Sequence, residues 1–424
     1  MQYLGDDNPP LQINEEILEQ AKELVRGAEV LPDGVDGLAK RLQLARNEGK
    51  PLRVKLGVDP TSTDLHLGHA VLFRKLLRFQ EFGHKVVLII GGFTAQIGDP
   101  SGRSATRPPL TEADVAANAK TYLDQIGIIL DLKKTEVTNN ADWLKSLDLG
   151  QMLKLASYVT VNQLLAKEAF GERLDKQLPV SFHELFYPLL QGYDSVAIKA
   201  DIELGGTDQR FNILQGRELQ PSYGQEPQMA MLLPLLEGTD GVKKMSKTFN
   251  NYIGLREKAS DMFGKCMRIP DELVIKYFEF TTNLAGKEID EIKESLDKGG
   301  NPKDAKLRLA AQVVTQYWGQ EAATKELEQW DKLHSQKLLP AKEEMPSHAV
   351  KPGTALFRIL TESGLSASSS EAKRLVFEGA VKFRGEPIYD PNLIIFNESE
   401  TWEHADLGPL QVGRRKFRFL VRAE

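Results

Sequence analysis

Leu52-Arg53-Val54-Lys55-Leu56-Gly57-Val58-Asp59-Pro60-Thr61-Ser62-Thr63-Asp64-Leu65-His66-Leu67-Gly68-His69 is the stretch on which the fold turns. Its first seven residues alternate with the period of a strand. Asp59 to Asp64 form a turn cluster, and a helical pattern follows from Leu65 to Phe82, with Gly83 placed to cap it. Lys85 to Ile90 is a β-branched run ended by Gly91-Gly92, as for a buried parallel strand. Strand, helix and strand within about 40 residues make a βαβ unit. In open α/β sheets the ligand crevice lies outside the C-terminal ends of the strands, where the 59–66 turn sits.

Working outward, residues 14–27 and 36–49 read as amphipathic helices. Residues 111–200 look mostly helical, with a short strand near Glu136 to Thr138. Asp201 to Gly206 is another strand ending at glycines, with a helix from about Asp208, and Met231 to Leu236 is a further strand. From about Ser260 to Gln336 the pattern is helical and charge-rich. Residues 339–352, LPAKEEMPSHAVKP, carry three prolines and no period, which marks a linker. The tail is a small α+β unit with a helix over Ser370 to Glu378, a hairpin-like Val381 to Ile388 and a basic strand over Gly413 to Phe419. The expected architecture is therefore α/β: a parallel-sheet domain over 1–240 with a helical insertion over about 111–200. A loop at 241–252, a helical domain at 253–338, the linker, and the α+β unit at 353–424 complete it.

The 424 residues exceed one ordinary domain at about 100–200 residues each. Hydrophobic residues make up 41% and charged residues 27%, a globular composition. Sixty acidic against 54 basic residues give a net charge of −6, which disfavours a uniformly basic nucleic-acid binder. That total averages unlike parts. Residues 351–424 carry a net of +1 and the remainder −7, and Arg414, Arg415, Lys416, Arg418 and Arg422 fall within nine residues. A single cysteine, Cys266, cannot form an internal disulfide and suits a reducing compartment. The N-terminal residues show no basic stretch or apolar core of a secretory signal. The longest aliphatic run is far below the roughly 20 residues of a membrane span, so a cytoplasmic protein with no membrane partner is expected.

In His66-Leu67-Gly68-His69 the spacing of three places both imidazoles on one face of a helix N-terminus. Exposed N–H groups there suit an anion, and Gly68 lets a flat ring or a phosphate approach the backbone. The plain alternative is two surface histidines that share a helix. A metal is a weaker reading, because the other histidines form no ligand cluster with this pair. Lys243-Lys244-Met245-Ser246-Lys247-Thr248 follows Gly238-Thr239-Asp240-Gly241 in a loop. Two lysines three apart suit a mobile clamp on a polyphosphate, and a solvated basic loop is the alternative. Tyr187, Gln191 and Asp194, spaced by four and three, share one helical face among Phe186, Leu189 and Leu190. Buried polar groups need partners, which a ligand can supply.

HLGH after the first strand, with KMSKT some 175 residues later, resembles the paired signatures of class I aminoacyl-tRNA synthetases. The intervening Gly57-Val58-Asp59-Pro60-Thr61, Ile97 to Arg103, Tyr187 to Asp194 and Gly205-Gly206-Thr207-Asp208-Gln209 resemble the tyrosyl-tRNA synthetase family in particular. The resemblance covers the whole chain. It implies a Rossmann-like catalytic domain, a helical anticodon-binding domain and a C-terminal RNA-binding fold of the S-four type. It also implies a homodimer acting on L-tyrosine, ATP and tRNA(Tyr), with Mg2+ carried by ATP and no dedicated protein metal site. Tyrosine would meet Asp194 at its phenol, and Tyr187, Gln191 and Asp99 around its ammonium, supported by Asn140. The resemblance assigns Thr61, His66, His69, Gln209, Lys244, Lys247 and Thr248 to catalysis. Gly57, Asp59, Gly68, Gly206, Asp208, Arg103 and Arg107 are assigned to ATP and the adenylate.

One departure stands out. Many bacterial members place a Tyr where this chain has Lys55. Lys55 is expected in the tyrosine site, and three placements stay open: a hydrogen bond to the phenol oxygen, a pair with Asp194, or solvent. Two competing functions also stay open: an enzyme of the same fold that activates another aromatic amino acid or transfers nucleotidyl groups without RNA, and a non-catalytic RNA-binding relative.

Overall fold

A computed structural model describes residues 11–61, 63–101, 110–334, 342–395, 406–413 and 416–423. It forms two compact units, Met1–Ala323 and Thr324–Glu424. The opening helices α1 (Glu15–Val25) and α2 (Gly34–Glu48) lie on either side of a short strand, β1 (Glu29–Leu31). The deciding stretch folds as read: β2 (Arg53–Val58), α3 (Leu67–Glu81) and β3 (Lys85–Ile90), with Gly83 at φ +84° just past the helix. Five of the six β3 residues are buried, as a strand covered on both faces requires.

After α4 (Thr94–Ile97) comes the insertion, which holds α5 (Glu112–Ile126), then the strand β4 (Glu136–Asn139). After it come α6 (Ala141–Leu144), α7 (Leu149–Ala156), α8 (Val161–Leu165), α9 (Glu168–Asp175) and α10 (Tyr187–Ile198). It also buries an ion pair, Arg173 to Glu184 at 2.8 Å. β5 (Ile202–Gly206), α11 (Arg210–Leu219) and β6 (Met229–Leu233) close the sheet, whose order is β1-β6-β5-β2-β3-β4. Neighbours are parallel except β1, which runs antiparallel to β6 at the edge. From β2 the chain moves outward through β3 to β4, then returns to β5 on the other side. The junction of β2 and β5 is thus the switch point, where such sheets open a crevice.

The helices α12 (Ala259–Cys266), α13 (Val274–Thr281), α14 (Gly286–Asp297) and α15 (Pro302–Trp318) belong to the first compact unit rather than forming a unit of their own. Specific bonds explain this. The Tyr277 hydroxyl donates to the Glu237 carbonyl at 2.7 Å, and Arg26 pairs with Glu279 and Asp290. The division of the chain falls within α16 (Gln320–His334).

The second unit holds β7 (Ser347–Val350), α17 (Leu356–Glu362), α18 (Ser369–Phe377), β8 (Val381–Phe383), β9 (Glu386–Pro387), β10 (Asp406–Val412) and β11 (Lys416–Arg422). Its sheet order is β7-β11-β10-β8-β9, over a core that includes Leu356, Ile359, Leu360, Val376 and Leu410. The stretch expected as linker over 339–352 contains β7, which pairs in parallel with β11. Its prolines flank the strand and its lone short run showed no readable period, so only the distant partner reveals it. The α18 helix is capped by Ser368, and Gly379 beyond it has φ +68°. Arg414 and Arg415 lie outside the described residues. Among the described residues no helix is long and apolar enough to cross a membrane.

Candidate functional site

A cleft of about 380 Å³ opens at the C-terminal ends of β2 and β5. Fifteen of the residues singled out from sequence line it, and they do so from separate elements. The turn after β2 supplies Gly57, Asp59 and Thr61, and the start of α3 supplies His66, Gly68 and His69. Asp99 follows α4 and Asn140 precedes α6; α10 gives Tyr187, Gln191 and Asp194. The end of β5 and the turn beyond give Gly206, Asp208 and Gln209, and the loop after β6 gives Lys244.

The inner end is built around Asp194, a 3% exposed carboxylate. Trp143 donates its indole N–H to Asp194 Oδ1 at 2.8 Å, and Asn140 donates to Oδ2 at 3.2 Å. Burial raises this carboxyl to about 7; the Lys55 ammonium and those two hydrogen bonds oppose the rise, and Glu203 adds to it. Asn140 also donates to Thr94 Oγ1 and accepts from the Phe93 N–H, so its amide serves the Asp194 end. Asp59 accepts from Thr94 at 2.8 Å and from the Tyr187 hydroxyl at 2.9 Å. The carboxylate lies so close to Gly91 that a Cβ there would stand 1.9 Å from Oδ1. Burial and then Asp59 hold the Tyr187 phenol well above its ordinary range, so it remains a donor.

A second network joins the middle of the cleft. Gln209 donates to Asp99 at 2.6 Å, and Asn212 donates to both Gln209 Oε1 and Gln191 Oε1 at 3.0 Å. Lys167 donates to Asn212 at 2.9 Å and stands 3.7 Å from Asp99.

At the mouth, the His66 and His69 rings stack with centroids 3.8 Å apart. Burial lowers both, with Lys247 adding to it: His66 to about 2, where His69 also contributes, and His69 to about 4. Both imidazoles are therefore neutral near pH 7. His69 Nδ1 accepts from the His66 backbone N–H, which leaves the His69 proton on Nε2. His66 Nδ1 is buried without a hydrogen-bond partner, the kind of orphan that a ligand satisfies. Gly68 faces the loop after β6: its N–H donates to Met245 Sδ at 3.3 Å.

That loop is pinned from two sides. Met245 N–H donates to the Leu236 carbonyl, and Leu67 N–H donates to the Ile253 carbonyl. Asn251, 3% exposed, accepts from Ser246 N–H and donates to Asp240 and to the carbonyls of Lys243 and Lys244. Lys244 Nζ rests 3.6 Å from Asp208 and Lys247 Nζ 3.2 Å from Asp64. Burial raises the Asp208 carboxyl, and Lys244 opposes that rise.

Three of the singled-out residues do not line the cleft. Lys247 and Thr248 lie on the loop beyond it. Lys55 is fully buried, and its Nζ binds Glu203 at 2.9 Å, Ser195 Oγ at 2.7 Å and the Gln191 carbonyl at 2.9 Å. It neither faces solvent nor pairs with Asp194; the parallel register of β2 and β5 sets Glu203 opposite it. Arg103 and Arg107 fall outside the described residues. Sequence reasoning missed Trp143, Glu203 and Asn251. Trp143 had a usable signal, standing three residues after Asn140 and hence one turn away.

Comparison with known proteins bears on this site. The family described as tRNA synthetases class I (W and Y) matches residues 47–335. A tyrosine–tRNA ligase of Carboxydothermus hydrogenoformans is 47% identical over 413 residues, covering 96% of this chain and 98% of the relative. One of Moorella thermoacetica is 46% identical, with 96% of each covered. Among solved structures, a C-terminally truncated Aspergillus nidulans mitochondrial tyrosyl-tRNA synthetase superposes with TM-score 0.62 at 24% identity, covering 76% of this chain and 94% of that one. The Archaeoglobus fulgidus tyrosyl-tRNA synthetase complexed with L-tyrosine gives 0.58 at 21% identity, covering 73% and 99%.

Proposed function

The chain belongs to the class I tRNA synthetases of the tryptophan and tyrosine group and its activity is tyrosine–tRNA ligation, and from that premise we propose how its residues carry the reaction. ATP is a substrate, and activation joins tyrosine to AMP. A tyrosine carboxylate oxygen attacks the α-phosphorus and pyrophosphate leaves with the P–O bond electrons. The nucleophile is already anionic, so no general base is needed; positioning and stabilisation of phosphate charge are the tasks.

Tyrosine enters phenol first and donates to Asp194, with Trp143 and Asn140 holding that carboxylate. Phenylalanine would deprive Asp194 of the phenol donor in a buried site, an asymmetry for which tyrosyl-tRNA synthetases are themselves the established example. Tyr187, Gln191 and Asp99 receive the ammonium, and Gln209 lies beside the reacting carboxylate. Asp208 takes the ribose, while Gly57, Asp59 and Gly206 run along the adenylate. Neutral His66 and His69 donate toward the phosphates at the α3 N-terminus, beside Thr61 and Gly68. Lys244, Lys247 and Thr248 grip the departing pyrophosphate, joined by Arg103 and Arg107. Mg2+ arrives with ATP, bound mainly by phosphates and water. The terminal adenosine of tRNA(Tyr) then attacks the adenylate through its 2′-hydroxyl, and AMP leaves.

The helices α12 to α15 read the anticodon in this proposal, and the second unit, of S-four type, grips RNA phosphates. A homodimer is supported by the apolar residues that the insertion exposes: Leu149 at 75%, Leu153 at 63% and Phe182 at 73%. A cytoplasmic setting fits the single, buried, unpaired cysteine.

One observation carries the proposal. The HLGH turn, the polar face of α10 and the KMSKT loop meet in one cleft at the β2–β5 junction. Labelled pyrophosphate should exchange into ATP in the presence of tyrosine but not of tryptophan or phenylalanine at equal concentration. Exchange driven by tryptophan would overturn the assignment of α10.

A further inference from the structure

Beneath the inner end of the cleft lies a buried ion pair that touches no cleft surface. Lys55 of β2 and Glu203 of β5 are register partners across the strand junction, and they are 0% and 1% exposed. All three Lys55 protons are used: on Glu203, on the Ser195 hydroxyl and on the Gln191 carbonyl. The last two flank Asp194 in the α10 turn 191–195, so the ammonium clamps that turn from below. Glu203 is equally engaged, accepting from the Gln191 side-chain amide at 3.1 Å and from Ser195 at 2.9 Å. The Gln191 amide nitrogen is thereby directed at Glu203, and its oxygen accepts from Asn212.

We propose that Lys55 is a positioning residue for substrate selection: tethered to Glu203 and bonded to both ends of the Gln191–Ser195 turn, it is held where its positive charge keeps Asp194 an acceptor for the phenol. The proposal rests on the reading that Asp194 meets the phenol. Replacing half of a buried pair strands the other charge, which is costly for folding, so both charges must be removed together. The charged groups acting on Asp194 are Lys55 on β2 and Glu203 on β5; Tyr187 on the same helix is a further titratable neighbour, itself flanked by Asp59 and Asp99. Trp143 and Asn140 face it as neutral donors. Lys55 acts on Asp194 more strongly than Glu203 does, so removing both leaves a net loss of positive field. Asp194 then protonates at higher pH. The protonated acid accepts poorly from a phenol, and the acid limb of tyrosine binding moves upward.

The test is the pH profile of KM for tyrosine in pyrophosphate exchange for Lys55→Met/Glu203→Gln, with Lys55→Gln/Glu203→Gln as a second neutral pair should the first fold poorly. A shift of about one pH unit is expected, raising KM about five- to tenfold near pH 7 and leaving it within about twofold near pH 8.5. Both kcat and KM for ATP should stay within about threefold. A profile that overlays the unaltered protein, or a rise in KM independent of pH, would overturn the proposal, because a purely structural pair gives one or the other. Failure of the unaltered protein to use tyrosine at all would instead strike the reading of the cleft.

Discussion

At the scale of single residues, the site works by controlling which polar groups are charged. Asp194 is buried, yet it is held as an acceptor by an indole, an amide and a nearby ammonium. A hydrogen bond to a charged group is worth about 1.5–3 kcal/mol. Trp143→Phe should therefore raise KM for tyrosine about tenfold or more, with kcat changed little, as steady-state exchange kinetics would show. The two histidines behave oppositely, His66 buried and His69 partly buried, both in the neutral form. Their imidazole nitrogen shifts should stay flat between about pH 5.5 and 8, whereas an exposed histidine titrates near 6.5. The unfolded chain binds protons at these histidines below about 6.5 while the folded chain does not. Stability should accordingly fall as pH drops from there toward about 4, by up to about 1.4 kcal/mol per pH unit per histidine. Urea midpoints at pH 7 and 5 would measure the loss. The residue types were legible in sequence because HLGH and the Tyr187–Asp194 face are local patterns. Trp143, Glu203 and Asn251 were not, because their roles depend on partners brought in from other elements.

At the scale of elements, the loop after β6 has a shape that its own sequence does not impose. Asn251 supplies that shape through four hydrogen bonds to the loop. Lys247, in contrast, contributes charge at the rim and rests on Asp64. Asn251→Ala and Lys247→Ala should each slow single-turnover adenylate formation about a hundredfold, the first by misplacing the lysines and the second by removing one. Tyrosine affinity by equilibrium dialysis should remain unchanged for both, since neither residue reaches α10. Regular elements with strong periods were readable: α3, β3 and α18 appear where their patterns and glycines place them. Of the short strands, β4 was readable and β1 and β7 were not. The three-residue β1 and four-residue β7 exist only through pairing with β6 and β11, and so few residues carry no period of their own.

At the scale of the whole molecule, the chain forms two compact units, and each has its own core. A chain ending at residue 341 should retain tyrosine-dependent pyrophosphate exchange while its rate of tRNA charging falls by at least about a hundredfold. Filter-bound aminoacylation beside exchange on the same preparation would check both, and equal losses would place the second unit in activation as well. The amino-acid sequence by itself determined the strand–helix–strand core, the order of the signature motifs and the polar face of α10 that lines the cleft. Each of these is written in periods and spacings within a few dozen residues. Tertiary structure alone decided that the helices after the loop join the catalytic unit, that Met245 seats on Gly68, and that Lys55 belongs to Glu203. Those outcomes depend on strand register and on packing between segments far apart in the chain, and a lysine beside a tyrosine pocket reads the same whichever carboxylate lies opposite it.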